Sequence, residues 1–70
     1  MEEFSIEKNG CIELCSLLKV MGLAESGGMA KTVIAEGRVL VDDKVELRKR
    51  CKLRAGQVVD YAGRKIRITE

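Results

Sequence analysis

From Cys11 onward the spacing of apolar side chains changes once, at Gly37, and that change restricts the possible folds more than any other feature. Before Gly37 they recur every three or four residues, the period of a helix; after it they recur every second residue, the period of a strand. Residues 11–21 (CIELCSLLKVM) put Cys11, Leu14, Leu18 and Met21 on one stripe with Leu17 beside them, and Glu13, Ser16 and Lys19 on the other side. The spacing predicts a helix there, ended by Gly22. Leu23–Glu25 make a short connector. Ser26 is a good N-cap for a second helix over residues 27–36, with Met29, Ala30, Val33 and Ile34 inward and Gly37 at its end.

After the switch, Arg38–Val41 and Lys44–Leu47 read as a hairpin about Asp42-Asp43. Residues 48–54 (RKRCKLR) hold five bases, and Ala55-Gly56 turns the chain. Residues 57–61 and 64–69 form a second hairpin about Ala62-Gly63, with Ile66 and Ile68 inward and Lys65 and Arg67 outward. A weak edge-strand signal covers residues 3–7, stopped by Asn9-Gly10, where Asn9 is a candidate cap for the next element. The expected architecture is α+β: a helix pair packed on a small, mostly antiparallel β-sheet. Seventy residues leave no room for a second domain, so residues 1–70 are expected to be one unit. A chain of that length buries only about 60% of its unfolded surface, so nearly all its core is needed for stability.

Composition removes several kinds of function. No run approaches the roughly 18 apolar residues of a membrane span, and the opening MEEFSIEK carries acids where a secretory signal carries bases and has no apolar stretch. The expected location is the cytoplasm. The absence of histidine removes the commonest near-neutral acid–base group and the commonest metal ligand. Asp42-Asp43 is the only adjacent acid pair beyond the N-terminus, and neighbouring strand residues point to opposite faces, so a polar turn is the better reading and no enzyme is expected. Cys11 and Cys15, four residues apart on the expected helix, could share a face. With only Cys51 beside them they fall short of the four ligands of a structural zinc site. Packing is their expected role, and neither metal nor cofactor is expected.

The charge is unevenly spread. Residues 1–36 carry three bases against six acids, and residues 37–70 carry ten bases against five acids, which points to an anionic partner for part of the surface. Two segments suit one. Ser26-Gly27-Gly28 opens a helix, where backbone amides are unpaired and the helix dipole is positive, and no Cβ keeps a phosphate away. Lys31 follows on the same side, its side chain leaning back over that turn. The alternative is a plain N-cap with a solvated lysine. If residues 48–54 are extended, Arg48, Arg50, Lys52 and Arg54 form one cationic ridge while Cys51 and Leu53 face the core. Phosphates would neutralise such a ridge; the alternative is an edge strand guarded against aggregation by charge. One Phe and one Tyr are too few for a base-stacking platform, so recognition of RNA would run through phosphates and shape, in folded or double-stranded RNA.

Residues 22–59, GLAESGGMAKTVIAEGRVLVDDKVELRKRCKLRAGQVV, resemble the S4-type RNA-binding domain. The matching pattern is G-L-A-x-S, then A-K…I-x-x-G-x-V-x-V, then a basic segment before a G-x-x-V strand; residues 11–21 also fit the family's first helix. The resemblance implies a two-helix αL motif packed on a small sheet, with a helix–loop–strand surface facing RNA. By position it implies RNA contact for Ser26, Gly27, Gly28 and Lys31 at the second helix, for Arg38 at the first strand, and for Arg48, Lys49, Arg50 and Lys52 in the basic loop, which Arg54 extends. Two departures stand out. Many S4 domains have Ser-Arg where this chain has Ser26-Gly27, and Asn-Gly where it has Asp42-Asp43; both imply weaker RNA affinity than in arginine-rich relatives. The implied partner is structured RNA, ribosomal or transfer, with the ribosome or an RNA-modifying enzyme nearby, bound by a monomer with modest sequence readout. The rival from another class is an adaptor docking an acidic protein. A salt slope on the order of −3 to −5, from roughly four to six phosphate contacts, separates the two.

Overall fold

A computed structural model describes all residues from Met1 to Glu70. In chain order the elements are β1 (Glu2–Ser5), β2 (Ile12–Glu13), α1 (Leu14–Val20), α2 (Gly27–Ala35), β3 (Leu40–Val41), β4 (Lys44–Val45), β5 (Lys52–Leu53), β6 (Val58–Tyr61) and β7 (Arg64–Thr69). Five strands form one sheet in the order β1-β7-β6-β3-β4, antiparallel except where β1 runs parallel to β7; β2 and β5 form a separate antiparallel pair. The α+β class with a helix pair on a mostly antiparallel sheet is as the sequence implies.

One apolar cluster joins the layers. Leu14, Leu17 and Leu18 from α1, Ala30, Val33 and Ile34 from α2, and Val39, Leu53, Val59, Ile66 and Ile68 from the strand half are all buried together. Ile66 and Ile68 point inward and Lys65 and Arg67 outward, as period-two alternation requires. Both helices end in the same way. Gly22 and Gly37 have φ of +73° and +75°, and the next residue donates back over the last turn, Leu23 N–H to Leu18 O and Arg38 N–H to Val33 O. Asp42 and Asp43, at φ +52° and +67°, make the turn of the first hairpin. The Asp42 carboxylate accepts the Val58 N–H at 3.0 Å, so this half of the acid pair fastens the turn to β6.

Four expectations need correction. The first helix begins at Leu14, because residues 12 and 13 pair with Leu53 and Lys52 as a strand; a partner across the gap outweighs helical spacing. Cys11 is therefore exposed and precedes that strand, so it does not share a helix face with Cys15. Asn9 caps no helix; its φ is +62° and its N–H donates to the Glu70 carboxylate. Met29 is 46% exposed rather than inward. The fourth correction concerns the basic run. Only Lys52–Leu53 is strand, and the chain turns at Lys49-Arg50, so the expected ridge of Arg48, Arg50, Lys52 and Arg54 does not form.

Candidate nucleic-acid interface

The second helix begins as its sequence suggests. Ser26 is extended, and its hydroxyl accepts the Met29 N–H at 3.1 Å while its carbonyl accepts the Ala30 N–H. Gly27 and Gly28 keep their N–H groups free of intramolecular acceptors, at the positive end of the helix. A Cβ on Gly27 would meet nothing within 4 Å, and one on Gly28 only the Ser26 hydroxyl at 3.8 Å, so the space beside both glycines is open.

A second element closes on this start from across the molecule. The first amides of α1 have no side-chain cap; they donate to the chain that carries the basic run, Leu14 N–H to Cys51 O at 2.8 Å and Cys15 N–H to Lys49 O at 3.2 Å. These bonds hold a turn, closed by Cys51 N–H to Arg48 O at 3.2 Å, against α1, with Lys49 and Arg50 at its tip. The result is a cleft of about 250 Å³ lined by Glu13, Cys15, Ser16, Lys19, Gly27, Lys31 and Arg50. The chain's three ion pairs are Arg38–Glu36, Arg48–Glu46 and Arg64–Glu2, so Lys19, Lys31 and Arg50 face the cleft with no carboxylate within 4 Å. Three unneutralised cations beside two free helix amides, with the single carboxylate of Glu13 at the wall, make a site that attracts anions.

The residues expected from sequence divide accordingly. Gly27, Lys31 and Arg50 meet in the cleft, with Ser26 and Gly28 flanking Gly27 and Lys49 beside Arg50. Lys52 stands across the β2–β5 pair from Glu13, at the margin. Three arginines are engaged elsewhere. Arg38 pairs with Glu36 at 3.5 Å and lies over the Tyr61 ring, 5.9 Å from its centre. Arg54 donates to the Gly10 carbonyl at 3.4 Å. Arg48 gives Glu46 its backbone N–H and Nε–H, both at 3.0 Å to one oxygen, and its Nη2 at 3.0 Å to the other. Those bonds, from the side chain first and then the backbone, hold the Glu46 carboxyl down at about 2. Burial first, and then that carboxylate, push the Cys51 thiol above its ordinary value. Sequence reasoning left Lys19 and Ser16 out of the site. Their signal was the polar side of the first helix, where Glu13, Ser16 and Lys19 recur at intervals of three.

With this geometry in place, the family follows. The S4 domain model matches residues 4–69, nearly the whole chain. This chain belongs to the S4 domain family. It is 53% identical over 68 residues to the Escherichia coli protein named "Putative RNA-binding protein YbcJ", covering 97% of each chain. It is 42% identical over 52 residues, 74% of this chain and 73% of the other, to the Bacillus subtilis protein named "Probable ribosome maturation protein RlbA". The solution structure of E. coli YbcJ superimposes with a TM-score of 0.75 and 51% identity, covering all of this chain and 89% of that one; it is described as revealing an αL motif involved in RNA binding. The two-helix motif expected from the sequence is thus the αL motif of a solved relative.

Proposed function

We propose that this chain binds structured RNA by gripping the sugar-phosphate backbone in the cleft between α2 and the Arg48–Cys51 turn. The observation that carries the reading is the convergence there of Lys19, Lys31 and Arg50 with the start of α2. One phosphate fits against the Gly27 and Gly28 amides, and the three side chains take its neighbours as point or forked charges. Stacking contributes little to this mode. Tyr61 is buried and Phe4 half-buried against the core, so neither ring offers a platform for a base. The open groups suit phosphate far better than base edges, which favours folded RNA read by shape over a sequence motif.

The names of the relatives support the same class of ligand, and that of the Bacillus protein supports ribosomal RNA during ribosome maturation. We place the chain in the cytoplasm as a monomeric, single-domain binding module, working beside the ribosome or an RNA-modifying enzyme and catalysing nothing itself. The test is filter binding of a folded ribosomal RNA fragment across a salt series. Three cations in the cleft, with Lys49 and Lys52 at its margin, give log K against log[salt] a slope of about −3 to −4. A flat dependence, with binding to an acidic protein in its place, overturns the reading in favour of an adaptor.

A further inference from the structure

Arg48 sits in the most basic stretch of the chain and its side chain is 76% exposed, yet its donors turn back onto Glu46 and Cys51. Its backbone N–H, Nε and Nη2 are all spent on the two oxygens of Glu46, and Nη2 also lies 3.6 Å from the Cys51 sulfur. Glu46 is held in turn by its own N–H, which donates to Val39 O at 3.0 Å, fixing it to the strand half of the core. A continuous set of bonds therefore runs from Val39 through Glu46 and Arg48 to the turn that ends at Cys51. The carbonyls of Lys49 and Cys51 continue it into the first amides of α1. Arg50 is the only member of the basic run that lines the cleft, and it stands on the tip of that turn.

We infer that Glu46 and Arg48 are positioning residues: the carboxylate–guanidinium clasp holds the Arg48–Cys51 turn so that Arg50 meets the start of α2, and Arg48 itself contacts no phosphate. This rests on the reading of the cleft as a phosphate site. It sets an acid to work for the binding of a polyanion, which reverses the sign expected from charge alone. If only long-range electrostatics mattered, removing Glu46 would tighten RNA binding, because the protein becomes more positive. A clasp gives the opposite result. Geometry also distinguishes Arg48 from a plain cation, because lysine keeps the charge but cannot present Nε and Nη2 together to two oxygens.

The experiment measures a folded ribosomal RNA fragment against Glu46→Ala, Glu46→Gln, Arg48→Ala, Arg48→Lys and the Glu46→Ala/Arg48→Ala pair, across salt. Amide hydrogen exchange at Cys15 and Cys51 is read on the free proteins. Every variant is expected to weaken binding about three- to tenfold, the double no more than either alanine variant, as for residues acting as one unit. The salt slope should stay within about half a unit of the unaltered protein's, whereas loss of a true phosphate contact lowers it by about one. Exchange at Cys15 and Cys51 should quicken while the buried amides of β6 and β7 keep their protection. The inference is overturned if Glu46→Ala binds as tightly as or tighter than the unaltered protein, if Arg48→Lys binds normally, or if exchange at the turn does not change. Absence of RNA binding by the unaltered protein would sink the reading of the cleft instead, and exchange alone would then decide whether the clasp holds the turn.

Discussion

The start of α2 and the basic run between Arg48 and Arg54 both looked cationic and open in the sequence, but only the first is built that way. At α2, one serine hydroxyl organises the helix start, and the two glycines after it leave their amides free. In the basic run, five bases in seven residues scatter: one into a clasp with Glu46, one toward the Gly10 carbonyl, one across from Glu13, and two onto a turn. The difference lies in what sets each geometry. A helix start is a local device, closed within four residues. A strand in a small domain depends on a partner far along the chain, and here the partner is two residues long. Density of charge in sequence therefore says little about density of charge in space.

This contrast can be broken most forcefully at Leu53. The basic run is interrupted by two buried side chains, Cys51 and Leu53, that seat it in the core. Leu53→Ala should cost about 2–4 kcal/mol, measured by urea denaturation, a large share of what a 70-residue domain possesses. A loss below about 0.5 kcal/mol would mean that the run is peripheral after all. On the other side of the comparison, Gly28→Glu places a carboxylate where a phosphate should lie, with room to do so. It should weaken RNA binding about tenfold or more while the circular dichroism spectrum stays unchanged. Next in size, Ser26→Ala should remove the cap and cost about 1 kcal/mol in the same denaturation assay.

A smaller effect follows from Glu46. Its folded-state value near 2 lies below the ordinary 4.5, so its contribution to stability is complete above about pH 4.5 and is lost as the pH falls toward 2. Glu46→Gln should make the acid-induced loss of stability shallower over that window, and the remainder should include Glu2, whose carboxyl is lowered by its hydrogen bonds to Arg64. An unchanged acid profile would show that the Glu46–Arg48 bonds are not formed in solution. The smallest effect is expected on the outer face of the sheet. Lys65→Ala and Arg67→Ala leave the cleft intact and should alter RNA affinity by less than about twofold, a change reflecting net charge alone.

Much of the fold was legible before any coordinates. Ser26, Gly22 and Gly37 mark helix ends by local chemistry, and Ile66 and Ile68 alternate with Lys65 and Arg67 over a strand long enough for its period to show. What was not legible had non-local causes. Ile12 and Glu13 fit a helix by spacing and became strand because Lys52 and Leu53 lie opposite them. Met29 lies where the helix turns away from the core, and nothing in its apolar character records that. The candidate site was half legible. Gly27 and Lys31 could be named from the helix start, and Arg50 could be named only as one of five. Lys19 falls on the polar side of its helix, but that it lines one cleft with Lys31 depends on how two helices pack.

The most direct test is a titration of the isotopically labelled protein with a folded ribosomal RNA fragment, following each backbone amide by NMR. The expected result is that shifts concentrate at Lys19, Gly27, Gly28, Lys31, Lys49 and Arg50, with Lys65 and Arg67 unmoved. Shifts gathered on the outer sheet face around Lys65 and Arg67, with Gly27 and Gly28 unmoved, would contradict the proposal that RNA is gripped in the cleft.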